Sequence, residues 1–435
     1  MPESLDVWIE AQSRLSAHGL MRSISCGLTK TRPGFSQQVS ARPGSVVASP
    51  VLAAYDPDPD YFFHWFRDSA LVMDALRLIA ADGLRAGARQ AFDDFVNFSL
   101  SLQDLAGESL VKSPGWRAAV APNFQQYLRS DAELASVQGA HVAADARVNP
   151  DGTLDISQWA RPQYDGSALR ALTLMKWVPN PASGEPASAA VEQLLRIDLA
   201  NTQLQCRNPC FDIWEEEKGF HYYTLRVGAA ALLQGAEWLS ARGESHLAAA
   251  CRGSGAEILM LLDGFWRAGE GYYGSRLLES GAHSTKDLDF AVILASLHSD
   301  AKEGRHSVFD PRQQSTFEKL TDLFDGEYPL NRGRDAELGA AMGRYANDKY
   351  YSGGPYFFST LGAAEFCYRL AARQGPTHPW AQRGDAYLRT VRRYAPADGA
   401  FAEQFDRDSG SPSSARDLAW SHAAFLSCLH ARRLI

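Results

Sequence analysis

Apolar residues recur every three or four positions along most of the chain, as they do on the buried face of an amphipathic helix. Leu71, Leu76 and Ile79 form part of one such face. About a dozen segments carry this pattern. They are 1–20, the segment after 68, 85–102, 167–177, 187–204, 222–241, 245–262, the segment after 286, 312–324, 355–374, 379–394 and 415–433. The last of them opens with Ser414 and Asp417 in a capping-box pattern. The spacing therefore predicts an all-α protein.

The connections between these helices alternate between short and long. Antiparallel helical hairpins joined in this way can close into a ring, with the short connections on one side and the long connections on the other. The side chains that could bind a substrate or take part in catalysis lie on long connections, namely 61–68, 159–165, 212–216, 344–356 and 403–410. We therefore expect a single active-site face formed by the long loops.

The length of 435 residues fits either one large helical barrel or two domains. No internal repeat or low-complexity linker divides the chain, so we predict a single domain that spans 1–435. A hydrophobic share of 45% and a charged share of 22% are ordinary for a globular enzyme with a substantial core.

The net charge of −8 is spread along the chain, and no basic run is present that could follow a phosphate backbone. This argues against nucleic acid as a partner. No apolar run reaches the length of about 18 residues that suggests a membrane span, which argues against a membrane partner. The first twenty residues lack the basic start and apolar centre of a secretion signal. We expect a cytoplasmic monomer, with secretion left open if a leader has been removed.

Six cysteines, at 26, 206, 210, 251, 367 and 428, form no dense framework. Cys206 and Cys210 are the only close pair in the sequence, and a zinc site would need a second pair of Cys or His residues. We predict reduced, mostly buried thiols and no metal site.

An indole precedes three consecutive carboxylates in the segment 210–219. We predict that this segment is a loop and that a helix begins near Thr224. Adjacent like charges and a nearby indole raise proton affinity, so Glu215 or Glu216 could stay protonated near neutral pH. Such a group can act as the general acid of a glycosidase. An acidic turn that faces solvent is the alternative.

A second candidate carboxylate is Glu403, which lies between aromatic residues just before a turn rich in Gly, Ser and Pro. Glycoside hydrolysis needs two carboxyl groups, because one protonates the leaving oxygen and the other activates water or attacks the sugar. Inverting enzymes hold the two groups roughly 6.5–9.5 Å apart and retaining enzymes about 5–5.5 Å. The positions of Glu215 and Glu403 in the sequence do not decide between the two mechanisms.

Two further segments place an aromatic residue, an arginine and an aspartate before a helix. In the first, Arg67 and Asp68 could hold a sugar ring through charge-assisted hydrogen bonds to neighbouring hydroxyls. A structural Arg–Asp pair at a helix start is the alternative. In the second, Trp159 precedes Asp165, and its indole could stack against a sugar or lie in the core.

Taken together, these segments resemble the glucoamylase family, glycoside hydrolase family 15, and more closely its fungal-type branch. They occur in the family's order between about residues 5 and 430. The matching stretches are Gly44–Pro50, Asp60–Ser69, Trp159–Gly166, Phe211–Glu216, Lys286-Asp287, Gly343–Tyr345, Tyr350–Pro355, Glu403–Asp406 and Ser414–Trp420.

The resemblance implies an (α/α)6 barrel that hydrolyses terminal α-1,4-linked glucose from non-reducing ends and releases β-D-glucose with inversion. It implies that Glu215 is the general acid and that Glu403 is the general base that activates water. Neither a metal nor an organic cofactor is needed for this chemistry. The implied partner is a small oligosaccharide substrate.

The resemblance also assigns the sugar-binding residues. Those expected around the terminal glucose are Tyr61, Trp65, Arg67, Asp68, Trp214 and Arg344. Those expected around the next sugar are Trp159, Glu216 and Asp348. Asp165 is expected to support the Trp159 loop, and Trp420 is expected to pack beside the base.

Two segments depart from the family pattern. In the first, Ser352-Gly-Gly354-Pro-Tyr356 stands where Asn-Gly-Asn-Pro-Trp is usual, so we expect changed outer subsites and a changed preference for chain length. In the second, Ala144–Asn149 replaces a segment of the Gly-Glu-Pro-Lys-Phe type. Because no Ser/Thr-rich linker or starch-binding module follows in the sequence, we expect soluble maltooligosaccharides or dextrins as substrates and not granular starch.

Two alternatives to an α-1,4 exo-hydrolase stay open at this point. A hydrolase of the same fold could prefer α-1,6 linkages or trehalose. A non-catalytic, sugar-binding regulatory domain could share the fold without the reaction. The presence of both Glu215 and Glu403 favours an enzyme over the regulatory domain.

Overall fold

The computed structural model describes residues 4–54, 58–81, 85–178, 187–280, 282 and 284–435. Its helices are α1 (Leu5–Ser23), α2 (Phe66–Ala81), α3 (Arg85–Ser101), α4 (Gly107–Val111), α5 (Asp131–Ala135), α6 (Ala140–Ala143), α7 (Asp165–Trp177), α8 (Ala189–Gln205), α9 (Tyr222–Ser240), α10 (Ser245–Leu262), α11 (Ala291–His298), α12 (Pro311–Glu327), α13 (Phe357–Ala371), α14 (Pro379–Tyr394) and α15 (Ala419–Arg432). Its strands are β1 (Thr29–Arg32), β2 (Gln37–Ser40), β3 (His64–Trp65), β4 (Arg147–Val148), β5 (Cys210–Phe211), β6 (Lys218–His221), β7 (Trp266–Arg267), β8 (Tyr272–Tyr273), β9 (Arg276–Leu278), β10 (Gln404–Phe405) and β11 (Pro412–Ser413).

Six helices form an inner ring. Each of α2, α7, α9, α11, α13 and α15 packs against the next, and α15 packs against α2 to close the ring. The outer helices α1, α3, α8, α10, α12 and α14 each pack against an inner helix, so outer and inner helices alternate along the chain. This arrangement is an (α/α)6 barrel, which confirms the predicted all-α fold and its dozen helices.

The connections that lead into the inner helices are long, and those that leave them are short. The chain between α3 and α7 runs from 102 to 164, whereas α9 and α10 are joined by 241–244 alone. All the long connections therefore lead to the amino-terminal ends of the inner helices, and residues at the starts of α2, α13 and α15 line one cavity. The predicted face of long loops is therefore present.

The inner and outer helices approach closely where a glycine on one helix faces a large apolar side chain on the other. Gly235 of α9 faces Leu199 of α8, and a Cβ at this glycine would lie 2.4 Å from a methyl carbon of Leu199. Among the described residues, one large cluster of buried apolar side chains extends through both rings, and three smaller clusters involve mainly the long connections. In the described ranges, no helix combines the length and the apolar character needed to cross a bilayer.

Short antiparallel strand pairs stiffen the long loops. They are β1–β2, β3–β4, β5–β6–β9, β7–β8 and β10–β11. The β5–β6 hairpin corrects the expectation that 210–219 is a loop, while α9 begins at Tyr222 directly after β6, close to the helix start expected near Thr224. Strands of two to four residues are too short to show an alternating pattern in the sequence. The region 106–161 lies outside the segments predicted to be helical, yet it contains the short helices α4, α5 and α6.

The capping box predicted for the last helix is wrong. Helix α15 begins at Ala419, four residues later than expected, and Ser414 donates its hydroxyl hydrogen bond to Glu403. Asp417 accepts hydrogen bonds from Arg22 at 2.9 Å and from His422 at 2.9 Å. Both side chains thus serve tertiary contacts and not the helix end. Helix α11 likewise begins at Ala291 and not near 286, with the Asp289 carboxylate accepting from the Ala291 amide at 2.7 Å.

A buried ion pair joins α7 to α8 and offers a test of the barrel packing. Asp198 accepts two hydrogen bonds from Arg170, at 2.7 and 2.8 Å, and both side chains are almost fully buried. Asp198→Ala leaves the Arg170 guanidinium buried without its partner, so we expect a loss of about 3–5 kcal/mol in the free energy of unfolding. Urea denaturation measures this loss. The double variant R170M/D198L, which removes both charges, should recover most of it, and equal stability of Asp198→Ala and the parent would contradict the prediction.

Candidate active site

A cavity of about 280 Å³ opens on the long-loop face, at the amino-terminal ends of the inner helices. It is lined by Ala48, Tyr61, Trp65, Arg67, Asp68, Trp159, Ala160, Ile213, Trp214, Glu215, Glu216, Arg344, Tyr350, Phe358, Glu403, Leu418 and Trp420. All the site residues expected from the sequence are therefore in its wall, except Asp165 and Asp348. The volume is at the lower end of the usual range for ligand sites, about 300–1,000 Å³, so one sugar ring fits better than a long chain.

Glu215 lies in a tight loop between β5 and β6 with a backbone φ of 68°. A non-glycine residue in this left-handed region is strained and is often found at functional sites. Asp212 holds the loop, because its carboxylate accepts the backbone N–H groups of Trp214 and Glu217, each at 2.7 Å. The loop thus keeps the Glu215 side chain turned into the cavity.

Three N–H donors hold the Glu215 carboxylate. Its Oε1 atom accepts from Trp65 Nε1 at 2.8 Å and from Gln163 Nε2 at 3.0 Å, and its Oε2 atom accepts from Trp159 Nε1 at 2.6 Å. Arg67 Nη2 lies 3.7 Å from Oε1. Because Oε1 already accepts two bonds, Oε2 is the oxygen better able to carry a proton.

Glu403 also lines the cavity, and it lies immediately before β10. Its Oε1 atom accepts from the Tyr61 hydroxyl at 3.3 Å, and its Oε2 atom accepts from Ser414. Burial raises the pKa of Glu403 to about 7, although the Ser414 hydroxyl and the Arg344 guanidinium oppose this rise and the Asp68 carboxylate adds to it. A carboxylate with this pKa can accept a proton near neutral pH.

Arg67 and Asp68 begin helix α2 in the wall of the cavity, with Arg67 Nε 3.4 Å from Asp68 Oδ2. These two buried atoms have no hydrogen-bond partner among the described residues. Buried polar atoms without partners are rare in folded proteins, and in a cavity wall they indicate a polar ligand. Burial raises the pKa of Asp68 to about 6, against the lowering by Arg67. The other side of the guanidinium donates to Gln163 Oε1 at 2.8 Å and lies 3.4 Å from Asp165 Oδ2.

Glu216 also faces the cavity, but its carboxylate is already surrounded. It accepts from Arg344 at 3.0 Å, from Lys286 at 2.6 Å and from the Tyr345 hydroxyl at 2.7 Å. Asp348 accepts two hydrogen bonds from Arg344, both at 2.7 Å. The Arg344 guanidinium therefore lies between two carboxylates and is fixed in the cavity wall.

Aromatic rings form the floor. Trp214 stacks on Trp420 with ring centres 6.3 Å apart, and Trp420 stacks on Phe358 at 4.3 Å. Phe358 and Trp420 also line a smaller cavity of about 50 Å³ in the barrel interior, so these two rings lie between the site and that inner cavity. The Trp214 indole donates to the buried Asp289 carboxylate at 2.9 Å, and burial raises the pKa of Asp289 to about 7 against the lowering by Arg276.

Two residues of the expected site lie behind the wall, namely Asp348, expected near the second sugar, and Asp165, expected to support the Trp159 loop. Asp348 is 4% exposed and contacts Arg344, while Asp165 is 3% exposed and contacts Arg67. The substituted loop also differs from expectation, because Tyr356 is 1% exposed and packs against Trp214 in the floor. The change of Trp to Tyr at this position is thus in the core and not at an outer subsite.

Sequence reasoning missed several residues that build the site. Gln163 and Asp212 lie within the matching stretches, yet their contacts with Glu215 and its loop depend on how the loops meet. Ser414 looked like a helix cap because its spacing to Asp417 fits a capping box. Tyr350, whose hydroxyl lies 2.9 Å from that of Tyr61, gave no separate signal.

The fold and the cavity together define a class of protein. An (α/α)6 barrel that presents two carboxylates from distant loops, aromatic walls and polar atoms without hydrogen-bond partners in one cavity has the features of a glycoside hydrolase. The sequence profile of the glycosyl hydrolases family 15 matches residues 35–381 and 374–430. Because these matches cover most of the chain, the chain belongs to family 15 of the glycosyl hydrolases.

Relatives and solved structures agree with this assignment. The chain is 29% identical to a glucoamylase of Neurospora crassa, over 98% of this chain and 68% of the relative. It is 27% identical to a probable glucoamylase of Schizosaccharomyces pombe, over 99% of this chain and 93% of the relative. The structure of a Hypocrea jecorina glucoamylase superposes with a TM-score of 0.80 at 26% identity, covering 99% of this chain and 72% of that one. A Hormoconis resinae glucoamylase gives 0.79 at 26% identity, with 99% and 74% covered.

The loop that carries Glu215 can be tested through Asp212. Asp212→Ala removes the acceptor of two backbone N–H groups and a partner of Arg276, which lies 3.3 Å away. We expect the free energy of unfolding to fall by about 3 kcal/mol. Asp212→Asn keeps one side-chain oxygen as an acceptor and should lose less. Chemical denaturation measures both variants, and an alanine variant as stable as the parent would show that the loop is held in another way.

Proposed function

We propose that this chain is a glucan 1,4-alpha-glucosidase that removes single glucose units from the non-reducing ends of maltooligosaccharides and soluble dextrins, releasing β-D-glucose. The observation that carries the proposal is the pair Glu215 and Glu403 in the wall of one cavity, with sequence-distant loops supplying them. The names of the relatives support the same activity, since those described above are glucoamylases or a probable glucoamylase.

Action at chain ends follows from the shape of the cavity. Its volume of about 280 Å³ suits one ring, and the floor of Trp214, Phe358 and Trp420 leaves no room for the chain to continue inward. A polymer therefore enters with its terminal unit first, and the bond to be cleaved lies near the cavity mouth. Arg67 Nε and Asp68 Oδ2 would form charge-assisted hydrogen bonds with the hydroxyls of that terminal ring.

Glu215 acts as the general acid in this proposal. Its Oε2 atom carries the proton and passes it to the glycosidic oxygen as the bond to the anomeric carbon breaks, so the leaving sugar departs as an alcohol. Positive charge then develops on the sugar ring. The aromatic walls and the carboxylates of Glu403 and Asp68 stabilise this charge, because they are already held in the cavity wall where it develops.

Glu403 acts as the general base. It removes a proton from a water molecule that attacks the anomeric carbon from the face opposite the leaving group, which inverts the configuration and gives the β anomer. The hydroxyls of Tyr61 and Ser414 orient the carboxylate, and its pKa of about 7 suits a group that must accept a proton near neutral pH. Inversion requires the two carboxyl groups to be roughly 6.5–9.5 Å apart, which leaves room for the water.

The chain is further proposed to act as a monomer in a reducing compartment. The catalytic cavity is complete within one chain, which supports a monomer. The six cysteines are free, and five of them are buried, which fits a reducing environment. One relative, 24% identical over 97% of this chain, is described as an intracellular sporulation-specific glucoamylase of Saccharomyces cerevisiae. Light scattering on the purified protein tests the oligomeric state.

The two carboxylates are tested by isosteric substitution. Glu215→Gln and Glu403→Gln keep the side-chain shape but cannot donate or accept the catalytic proton, so each should lower kcat on maltotetraose by about 10²–10⁴-fold. Glu337→Gln, at an exposed position, is the matched control and should be fully active. Proton NMR of the fresh product should show β-D-glucose. Release of the α anomer, or a parent and variants that are equally inert while still binding sugar, would contradict the proposal, the second result favouring a sugar-binding regulatory domain.

The linkage preference is tested with disaccharides. Maltose should be hydrolysed faster than isomaltose, and trehalose should be a poor substrate, when glucose release is followed at equal concentrations. A preference for isomaltose or trehalose would keep the mechanism and replace the proposed substrate.

Ser414 offers a test of how the base is tuned. Its hydroxyl donates to Glu403 and so stabilises the charged carboxylate, which lowers the pKa. Ser414→Ala removes this bond, so the pKa of Glu403 should rise and the acidic limb of the kcat/KM profile should move to higher pH. A shift of about one pH unit is the size expected for one hydrogen bond to a charged group. A limb that stays in place or moves to lower pH would contradict this role.

A further inference from the structure

Arg147 lies at the centre of an aromatic cluster beside the cavity. Its guanidinium carbon is 3.5 Å from the ring centre of Trp159, 4.0 Å from that of Phe63 and 4.7 Å from that of Trp65. The residue belongs to the segment Ala144–Asn149, where the sequence departs from the family pattern. A buried arginine against three rings at this position has no role in the mechanism described above.

Several contacts fix the guanidinium in place. Arg147 is 2% exposed, and its Nε atom donates to Asp155 Oδ2 at 2.8 Å. Its backbone lies in β4, which pairs with β3 so that Arg147 is directly opposite Trp65. The guanidinium plane is therefore set by a strand pair and a buried carboxylate, and not by Trp159.

Trp159 depends on this fixed group. Its side chain is the most exposed of the cavity wall tryptophans, with the residue 37% exposed, and it lies on an extended loop. Its indole nevertheless donates to Glu215 Oε2 at 2.6 Å, which requires a particular ring orientation. The guanidinium stacked at 3.5 Å covers one face of the ring and leaves the other face for a sugar. The positive charge of the guanidinium is attracted to the electron-rich face of the indole, so the contact favours this one ring orientation.

We propose that Arg147 is a positioning residue for the general acid: by stacking on Trp159, it holds the indole N–H against Glu215 Oε2 and so directs the proton-bearing oxygen at the glycosidic bond. This inference rests on the proposed function, because it assigns Glu215 the role of acid. Arg147 itself touches neither the substrate nor the reacting atoms. Its loss should therefore impair proton delivery to the leaving group more than sugar binding.

Leaving-group dependence separates this role from a structural one. Maltose needs a proton on its leaving oxygen, whereas fluoride departs from α-D-glucosyl fluoride with little help from an acid. Arg147→Met keeps much of the side-chain bulk but removes the cation. We expect kcat on maltose to fall roughly tenfold, the size that loss of the cation–π contact allows, with KM little changed. Turnover of the fluoride should stay within about twofold of the parent enzyme.

Two further variants complete the test. Arg147→Lys keeps the charge without the planar stack and should recover part of the maltose activity. Arg129→Met is the matched control, since Arg129 is 5% exposed and pairs with Asp145 in the same region. It should change the rates on both substrates by the same factor.

The outcomes distinguish the two levels of inference. Equal losses on maltose and fluoride by Arg147→Met, or no loss on either, would overturn the role of Arg147. If Arg147→Met does not fold, the ratio of the two rates in Arg147→Lys decides in the same way: a selective loss on maltose supports the role, and an unchanged ratio overturns it. A parent enzyme that turns over neither substrate would instead overturn the proposed function.

Discussion

A carboxylate taken out of water must find donors or cations to replace its hydration, and this requirement shapes the catalytic end of the barrel. Glu215 receives three N–H bonds, and Glu216 receives two cations and a phenol. Asp289 receives an arginine and an indole. The donors come from different loops, so each carboxylate ties together segments that are distant in sequence. Among the described residues, Glu403 accepts hydrogen bonds from two hydroxyl groups alone, and burial raises its pKa to about 7.

The same requirement explains the unpaired atoms of the cavity wall. Arg67 and Asp68 satisfy each other only in part, because the geometry that aims both at the cavity keeps their facing atoms 3.4 Å apart. An empty site of this kind is less stable than a filled one, and a sugar with two neighbouring hydroxyls would supply the missing partners. The polar atoms that lack partners in the free protein are thus the same atoms that would bind the terminal ring.

Much of this architecture was predictable from the sequence, because the relevant signals are local. Helical periodicity identified the twelve barrel helices, and matching stretches identified Glu215 and Glu403 as residues of one site. The contributions of Gln163 and Asp212 were not predictable, since both depend on how separate loops approach each other. Ser414 shows the limit of local patterns, because a hydroxyl with helix-cap spacing is used by a carboxylate eleven residues earlier in the chain.

Asp348 and Tyr356 illustrate a different limit. Both lie in stretches that resemble the family, and the sequence indicates that they belong near the site, yet it does not indicate which layer they occupy. In the folded protein Asp348 contacts Arg344 from behind, and Tyr356 packs beneath Trp214. Burial depth is set by how these segments pack against distant parts of the chain, which no short segment encodes.

The contact between α15 and α2 closes the inner ring, and it differs from the other five contacts because no outer helix connects these two helices along the chain. Every other neighbouring pair of inner helices is linked through one outer helix, whereas α15 and α2 lie at opposite ends of the chain's path and meet through packing alone. Arg67 and Trp420 stand on either side of this junction, with the guanidinium carbon 5.6 Å from the indole ring. The α15–α2 contact therefore runs through the catalytic cavity. Partial separation of these two helices during heating would abolish activity while most of the helices are still folded.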